Sequence, residues 1–140
     1  MALYLDASVM VALLGAEAGS DAAREFVSRA AEPRLVSEFA AAEVASTLSR
    51  LVRMKLRTEV AARAVLDYFD RWRLSETLAI SIDNSDIAEA SEIVRRFELK
   101  LRTPDALHLA VSRRVGAKLA TQDMRLADAG VALGVAVVRL

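Results

Sequence analysis

Residues 2–15 read Ala2-Leu3-Tyr4-Leu5-Asp6-Ala7-Ser8-Val9-Met10-Val11-Ala12-Leu13-Leu14-Gly15. The apolar run Ala2–Leu5 is short and stops at an acid, the pattern of a buried strand with Asp6 at its end. Ser8 carries a hydroxyl that suits a helix N-terminus, the residues to Leu14 are helix-compatible, and Gly15 is a stop signal. The reading is strand followed by helix.

The same alternation continues along the chain. Ser20 and Asp21 open a second helix carrying Ala23, Phe26, Val27 and Ala30, and Pro33 precedes a strand at Arg34–Ser37. Glu38–Met54 repeats Ala40, Val44, Leu48 and Leu51 at helical spacing. Thr58 caps a helix whose stripe of Ala61, Val65, Tyr68, Phe69 and Trp72 reads as core or a partner contact rather than a cofactor site. Thr77–Ile82 reads as a strand. A helix capped by Asn84 or Ser85 presents Ile87, Ala90, Val94 and Phe97, and Thr103 as cap with Pro104 at the first position starts the next. Lys118–Thr121 is a strand, Asp123–Ala129 a short helix stopped by Gly130, and Val135–Arg139 a final strand. Short apolar strands alternating with amphipathic helices predict an α/β fold, a mainly parallel sheet with helices on both faces, in one domain over 1–140.

Composition narrows the chemistry. The 140 residues include no Cys and one His, so thiol nucleophiles, disulfide frameworks and multi-histidine or Cys-ligated metal sites are excluded. Any metal must be held mainly by oxygen. No basic leader precedes an apolar stretch, and no uncharged apolar run approaches the ~18 residues of a membrane span, so a cytoplasmic protein without a membrane partner is expected. The 19 Lys+Arg balance 19 Asp+Glu, which gives no bulk electrostatic pull toward nucleic acid.

In parallel sheets the functional crevice lies beyond the carboxyl ends of the strands. Asp6 ends the first strand, Asp123 follows the Lys118–Thr121 strand by two residues, and Asp105 sits in the first turn of the helix begun by Thr103-Pro104. Glu43 is a fourth candidate, a carboxylate among Ala40, Ala41, Ala42, Val44 and Ala45. Each acid has an ordinary reading: a strand-end turn for Asp6, helix-dipole service for Asp105, an N-cap for Asp123, a solvated flank for Glu43. Together they repel, by roughly 3 kcal/mol for two charges about 5 Å apart at an effective dielectric near 20, so the cluster calls for protons or cations. Mg²⁺ and Mn²⁺ suit an oxygen-only donor set.

The segments Leu5-Asp6-Ala7-Ser8, Glu43, Thr103-Pro104-Asp105-Ala106-Leu107-His108-Leu109-Ala110 and Thr121-Gln122-Asp123-Met124-Arg125-Leu126 resemble the PIN domain, and within it the VapC-type toxins of toxin–antitoxin modules. Ala7 and Gln122 depart from the Thr or Asn that relatives often carry, without removing a carboxylate. The resemblance covers essentially the whole chain. It implies a three-layer α/β/α PIN-like fold and a Mg²⁺- or Mn²⁺-dependent endoribonuclease, with Asp6, Glu43, Asp105 and Asp123 as catalytic and metal-binding acids and one or two ions. It further implies an RNA substrate, a cognate antitoxin and a homodimer.

Ser8 and Thr121 are auxiliary hydroxyls, or merely cap and strand-end residues. His108, one turn past Asp105, reads as hydrogen-bonding support rather than direct chemistry. Arg102 and Arg125 flank the acids and are candidate phosphate contacts, ahead of the basic run Arg50, Arg53, Lys55, Arg57. Setting the four acids aside leaves 15 carboxylates against 19 basic side chains, so the neutral total does not exclude RNA. The alternative is a noncatalytic PIN-like binding or regulatory module.

Overall fold

A computed structural model describes residues 1–15 and 20–140. Five strands, β1 (Leu3–Leu5), β2 (Arg34–Ser37), β3 (Leu78–Ile80), β4 (Lys118–Thr121) and β5 (Val137–Arg139), pair in the order β3-β2-β1-β4-β5. Every neighbouring pair is parallel. The described residues also form seven α-helices: α1 (Ala7–Leu14), α2 (Ser20–Arg29), α3 (Glu38–Arg53), α4 (Glu59–Glu76), α5 (Asn84–Val94), α6 (Thr103–Val115) and α7 (Met124–Ala132).

Successive side chains of a strand point to opposite faces, and that alternation splits the sheet's residues between two cores. Tyr4 of β1, Leu35 of β2 and Leu119 of β4 pack with Ala90 and Ile93 of α5, Leu109 of α6 and Leu126 of α7. Leu3, Leu5, Val36 and Ala120 point the other way, onto Val9 and Met10 of α1, Val27 of α2, Val44 of α3 and Phe69 of α4. The result is the expected three-layer α/β/α arrangement, with a sheet that is wholly rather than mainly parallel. Among the described residues no helix is long and apolar enough to cross a membrane.

Several local expectations are corrected. Asp6, not Ser8, is the N-cap of α1, its Oδ1 accepting the Val9 N–H at 3.1 Å. The helix therefore starts immediately after the strand. Asp83, not Asn84 or Ser85, caps α5, and Asp86 Oδ2 accepts the Asp83 N–H at 2.8 Å. Arg102 takes the cap position of α6, with Thr103 and Pro104 inside the first turn and Asp105 Oδ2 accepting the Arg102 N–H at 3.3 Å.

Thr77 closes α4 rather than opening β3, donating its hydroxyl to the Arg73 carbonyl. Of the expected α4 stripe, Phe69 is buried and Val65 and Trp72 are partly buried, whereas Ala61 and Tyr68 are exposed and Ala62 is buried instead. Ile87 and Phe97 are likewise exposed. Gly130 does not stop α7 but lies within it, because a Cβ there would stand 2.7 Å from Val137 Cγ2 and 3.2 Å from Leu109 Cδ2. The helix packs that closely on β5 and α6 only without a side chain, and β5 begins at Val137 instead of Val135.

A side-chain clamp joins α5 to α6. Arg114 donates from Nε to Asp86 Oδ1 at 2.8 Å, and from Nη2 to Asp86 Oδ2 at 2.9 Å and to the Ser81 carbonyl at 2.7 Å. Its Nη1 is 3.5 Å from Asp83 Oδ2. Asp86 is only 1% exposed, and the clamp holds the C-terminal half of α6, whose N-terminal half carries Asp105 and His108.

Candidate active site

The order β3-β2-β1-β4-β5 reverses direction between β1 and β4, the topological switch point at which parallel sheets open a crevice. Two of the sequence-selected segments meet there. Asp6 follows β1 and is buried, with its N–H donated to the Ala120 carbonyl of β4 at 3.3 Å. Its Oδ1 accepts the Ser8 hydroxyl at 2.6 Å as well as the Val9 N–H, and its Oδ2 accepts the Thr121 hydroxyl at 2.5 Å.

Ser8 Oγ in turn accepts the Gln122 N–H at 2.9 Å, and Thr121 Oγ1 accepts the Asp123 N–H at 3.0 Å. Each hydroxyl gives its one proton to Asp6 and takes a backbone proton from the β4–α7 turn. Both auxiliary hydroxyls thus hold the Asp6 carboxylate directly. Two O–H donors and an N–H give both oxygens of this buried carboxylate hydrogen-bond partners.

Asp123 caps α7, its Oδ1 accepting the Arg125 and Leu126 N–H groups at 2.9 and 3.1 Å. The N-cap reading was therefore correct, and Asp123 Oδ2 stands free of the cap bonds. Asp105 lies near enough for the negative charge of Asp123 to act on it. Burial first, and Asp123 in addition, push the Asp105 carboxyl above the usual carboxylate range, against the lowering pull of the Arg102 N–H.

Glu43, midway along α3, does not bond to the other acids. Its Oε2 is 2.6 Å from His108 Nε2, and its side chain is partly exposed. His108 is 3% exposed. Its Nδ1 is 2.9 Å from the Tyr4 hydroxyl, which is 2.8 Å from Ser37 Oγ, and Ser37 Oγ caps α3 by accepting the Ala40 N–H at 3.0 Å. The rings of Tyr4 and Phe39 flank the imidazole at centroid distances of 5.7 and 5.5 Å.

Tyr4 and Ser37 were not among the sequence-selected residues. A signal existed for Tyr4, since a buried tyrosine needs a partner for its hydroxyl. Burial drives that hydroxyl far above the ordinary phenol range, so it stays protonated. Arg102 and Arg125 are both exposed at this edge, Arg102 Nε 3.8 Å from Asp105 Oδ2.

Among the described residues no three His, Asp or Glu side chains close into a ready-made metal cage. The donor set still suits Mg²⁺, which keeps several of its waters and is typically held through one or two carboxylates rather than an all-protein cage. Asp105, raised chiefly by its burial and further by the Asp123 carboxylate, is in an electrostatic state that a cation would relieve.

The PIN domain family model matches residues 3–132. The chain belongs to the PIN domain family. It is 34% identical over 140 residues to Ribonuclease VapC46 of Mycobacterium tuberculosis, covering 98% of this chain and 96% of the relative. Solved structures that share the fold include the following two. VapC20 from Mycobacterium tuberculosis, described as a Sarcin-Ricin loop cleaving toxin, has a TM-score of 0.73 at 22% identity, over 92% of this chain and 95% of that one. A toxin-antitoxin complex from Klebsiella pneumoniae has a TM-score of 0.62 at 19% identity, over 89% and 88%. In this PIN domain the matched residues include all four candidate acids, Asp6, Glu43, Asp105 and Asp123.

Proposed function

We propose that this PIN domain, a single unit over residues 1–140, is a divalent-metal-dependent endoribonuclease acting as the toxin of a toxin–antitoxin pair. The observation that carries the reading is the buried Asp6 carboxylate, held by Ser8 and Thr121 at the switch point of the sheet, with Asp123 on the adjoining turn. A relative named as a ribonuclease and matched over nearly its whole length supports the same activity. Cytoplasmic RNA is the substrate class.

Asp6 and Asp105 would hold the ion, with Glu43 and Asp123 as further oxygen donors, for one Mg²⁺ or Mn²⁺ or for two. When bound, the metal supplies Lewis acidity that activates water and neutralises charge building on the scissile phosphate. The chain's own residues prepare that site. Ser8 and Thr121 fix the two oxygens of Asp6 so that the carboxylate cannot rotate away. His108 fixes Glu43. Arg102 and Arg125, exposed beside the acids, attract the phosphate backbone.

A cognate antitoxin and a second copy of the chain are this domain's protein partners, a reading that rests on family membership. Defined structured RNAs incubated with Mg²⁺ or Mn²⁺ are expected to be cleaved, and cleavage is expected to stop in excess EDTA. Cleavage that persists in EDTA rejects the metal mechanism. A protein that cleaves no RNA with any divalent metal, yet binds a peptide partner tightly, is instead a noncatalytic binding module.

A further inference from the structure

Among the described residues, Glu43, His108, Tyr4 and Ser37 form a continuous side-chain hydrogen-bond path, and the cleavage chemistry sketched above uses only its first two members. Its four residues come from different places: Ser37 ends β2, Glu43 lies on α3, Tyr4 is on β1 two residues before Asp6, and His108 is on α6 three residues after Asp105. The path therefore ties together the elements that carry three of the four candidate acids. Tyr4 and Ser37 are fully buried and His108 nearly so, which makes the direction of each hydrogen bond a matter of counting donors and acceptors.

The Ala40 N–H can only donate, so Ser37 Oγ is the acceptor at that end. The remaining Ser37 proton has one acceptor within reach among the described residues, the Tyr4 oxygen. The Tyr4 hydroxyl must then donate to His108 Nδ1, which leaves Nδ1 bare and puts the ring proton on Nε2, facing Glu43 Oε2. The reverse direction strands the Ser37 proton in a site without solvent. An Nδ1–H imidazole would further set a bare Nε2 against a carboxylate oxygen, two acceptors 2.6 Å apart.

We propose that Ser37, Tyr4 and His108 form a one-way hydrogen-bond chain that locks His108 in its Nε2–H tautomer and so makes it a positioning residue, fixing Glu43 at the metal-facing edge of the site. The proposal rests on the ribonuclease reading for the role of Glu43, but the tautomer itself does not depend on it. The pairing follows a general pattern in which a ligand carboxylate or imidazole is oriented by an outer partner, whose loss typically lowers activity or metal affinity about 10- to 100-fold.

The chain's single histidine makes the test direct. Long-range proton–nitrogen spectra of the full-length protein labelled with ¹⁵N-histidine are expected to show a pyrrole-type nitrogen at Nε2 and a pyridine-type nitrogen, shifted by a hydrogen bond, at Nδ1. In Tyr4→Phe the Nδ1 signal is expected to move toward that of a nitrogen without a bonded donor. The same variant should lower kcat for RNA cleavage about 10-fold with KM within about twofold, the signature of an outer partner that touches no RNA. His108→Gln, which can offer an amide N–H to Glu43, should retain more activity than His108→Ala.

An Nδ1–H or doubly protonated ring in the wild-type protein overturns the proposal, and so does a Tyr4→Phe variant with unchanged kcat and an unmoved Nδ1 signal. The wild-type spectrum is read without metal or substrate. If RNA cleavage is absent altogether while the Nε2–H tautomer is found, the ribonuclease reading falls and the directional chain stands.

Discussion

Removing Arg114 should unfold this protein more readily without touching its chemistry. Arg114→Ala deletes two charge-assisted bonds to Asp86, one to the Ser81 carbonyl and the contact with Asp83. What remains is a carboxylate with 1% exposure whose other partner is the Asp83 N–H. Breaking a buried pair from one side costs about 3–5 kcal/mol, since the orphaned charge keeps its desolvation penalty. The Arg114 side chain is 30% exposed, so water can enter the space it vacates, which points to the lower end, about 3 kcal/mol. For a domain of this size each kcal/mol moves Tm by about 3–4 °C, giving a drop of about 10 °C.

The pH dependence has a definite sign. Burial raises the Asp86 carboxyl, but the Arg114 bonds and the Asp83 N–H together outweigh it and hold the group below the usual carboxylate range. A depressed acid contributes stability above its unfolded pKa of about 3.9 and loses it as pH falls through the folded value. In Arg114→Ala the carboxyl is no longer depressed and takes up its proton sooner. The Tm gap between wild type and variant should therefore narrow as pH is lowered from 7 toward 4, measured by thermal unfolding followed by circular dichroism. RNA cleavage at 20 °C should be unchanged. A drop below about 2 °C at pH 7, far under the range for a broken buried pair, or a gap that widens on acidification, would refute the reasoning.

Three further outcomes are expected. Gly130→Ala puts a Cβ against Val137 and Leu109, and overpacking of about 1–3 kcal/mol should exceed the helix-propensity gain of about 1 kcal/mol, lowering the urea midpoint. Asp105 is held above the usual carboxylate range, so its charged form costs stability at neutral pH. Asp105→Asn should raise Tm at pH 7 in the absence of metal, with the gain shrinking as pH falls through the raised folded value toward the unfolded value of about 3.9, where the wild-type carboxyl takes up its proton. Mg²⁺ at about 100 times its dissociation constant should stabilise wild type by about 2.7 kcal/mol in thermal melts and should lose that effect in Asp6→Asn.

The layered fold was legible because its signals are local and repeated: Arg34–Ser37 and Lys118–Thr121 are strands with the bounds read from their apolar runs, and Thr58 caps α4 as expected. Errors clustered where two residue types compete for one role. Asp6 displaced Ser8 as cap because the aspartate can serve the helix and the site together, and Ser8 was left to bond it. Gly130 has the residue type of a stop signal, yet its identity is set by the approach of β5, a contact across the fold that no local pattern records.

The site was half visible. Asp6, Asp105 and Asp123 sit beside strand ends or helix starts, positions that sequence order reveals. The bond between Glu43 and His108 joins residues 65 apart, and the Tyr4–Ser37 contact joins two others 33 apart. Such pairs exist only once the parallel crossovers have formed, so the partners of Glu43 were beyond reach of spacing arguments.

The central claim is that Asp6 anchors a metal-dependent ribonuclease site. The most direct measurement is the single-turnover cleavage rate of one defined structured RNA at saturating Mn²⁺, for wild type and for Asp6→Asn, with the variant's fold verified by circular dichroism. A loss greater than about 100-fold is predicted, because Asp6 would be a ligand rather than an outer partner. Equal rates from two equally folded proteins would contradict the account.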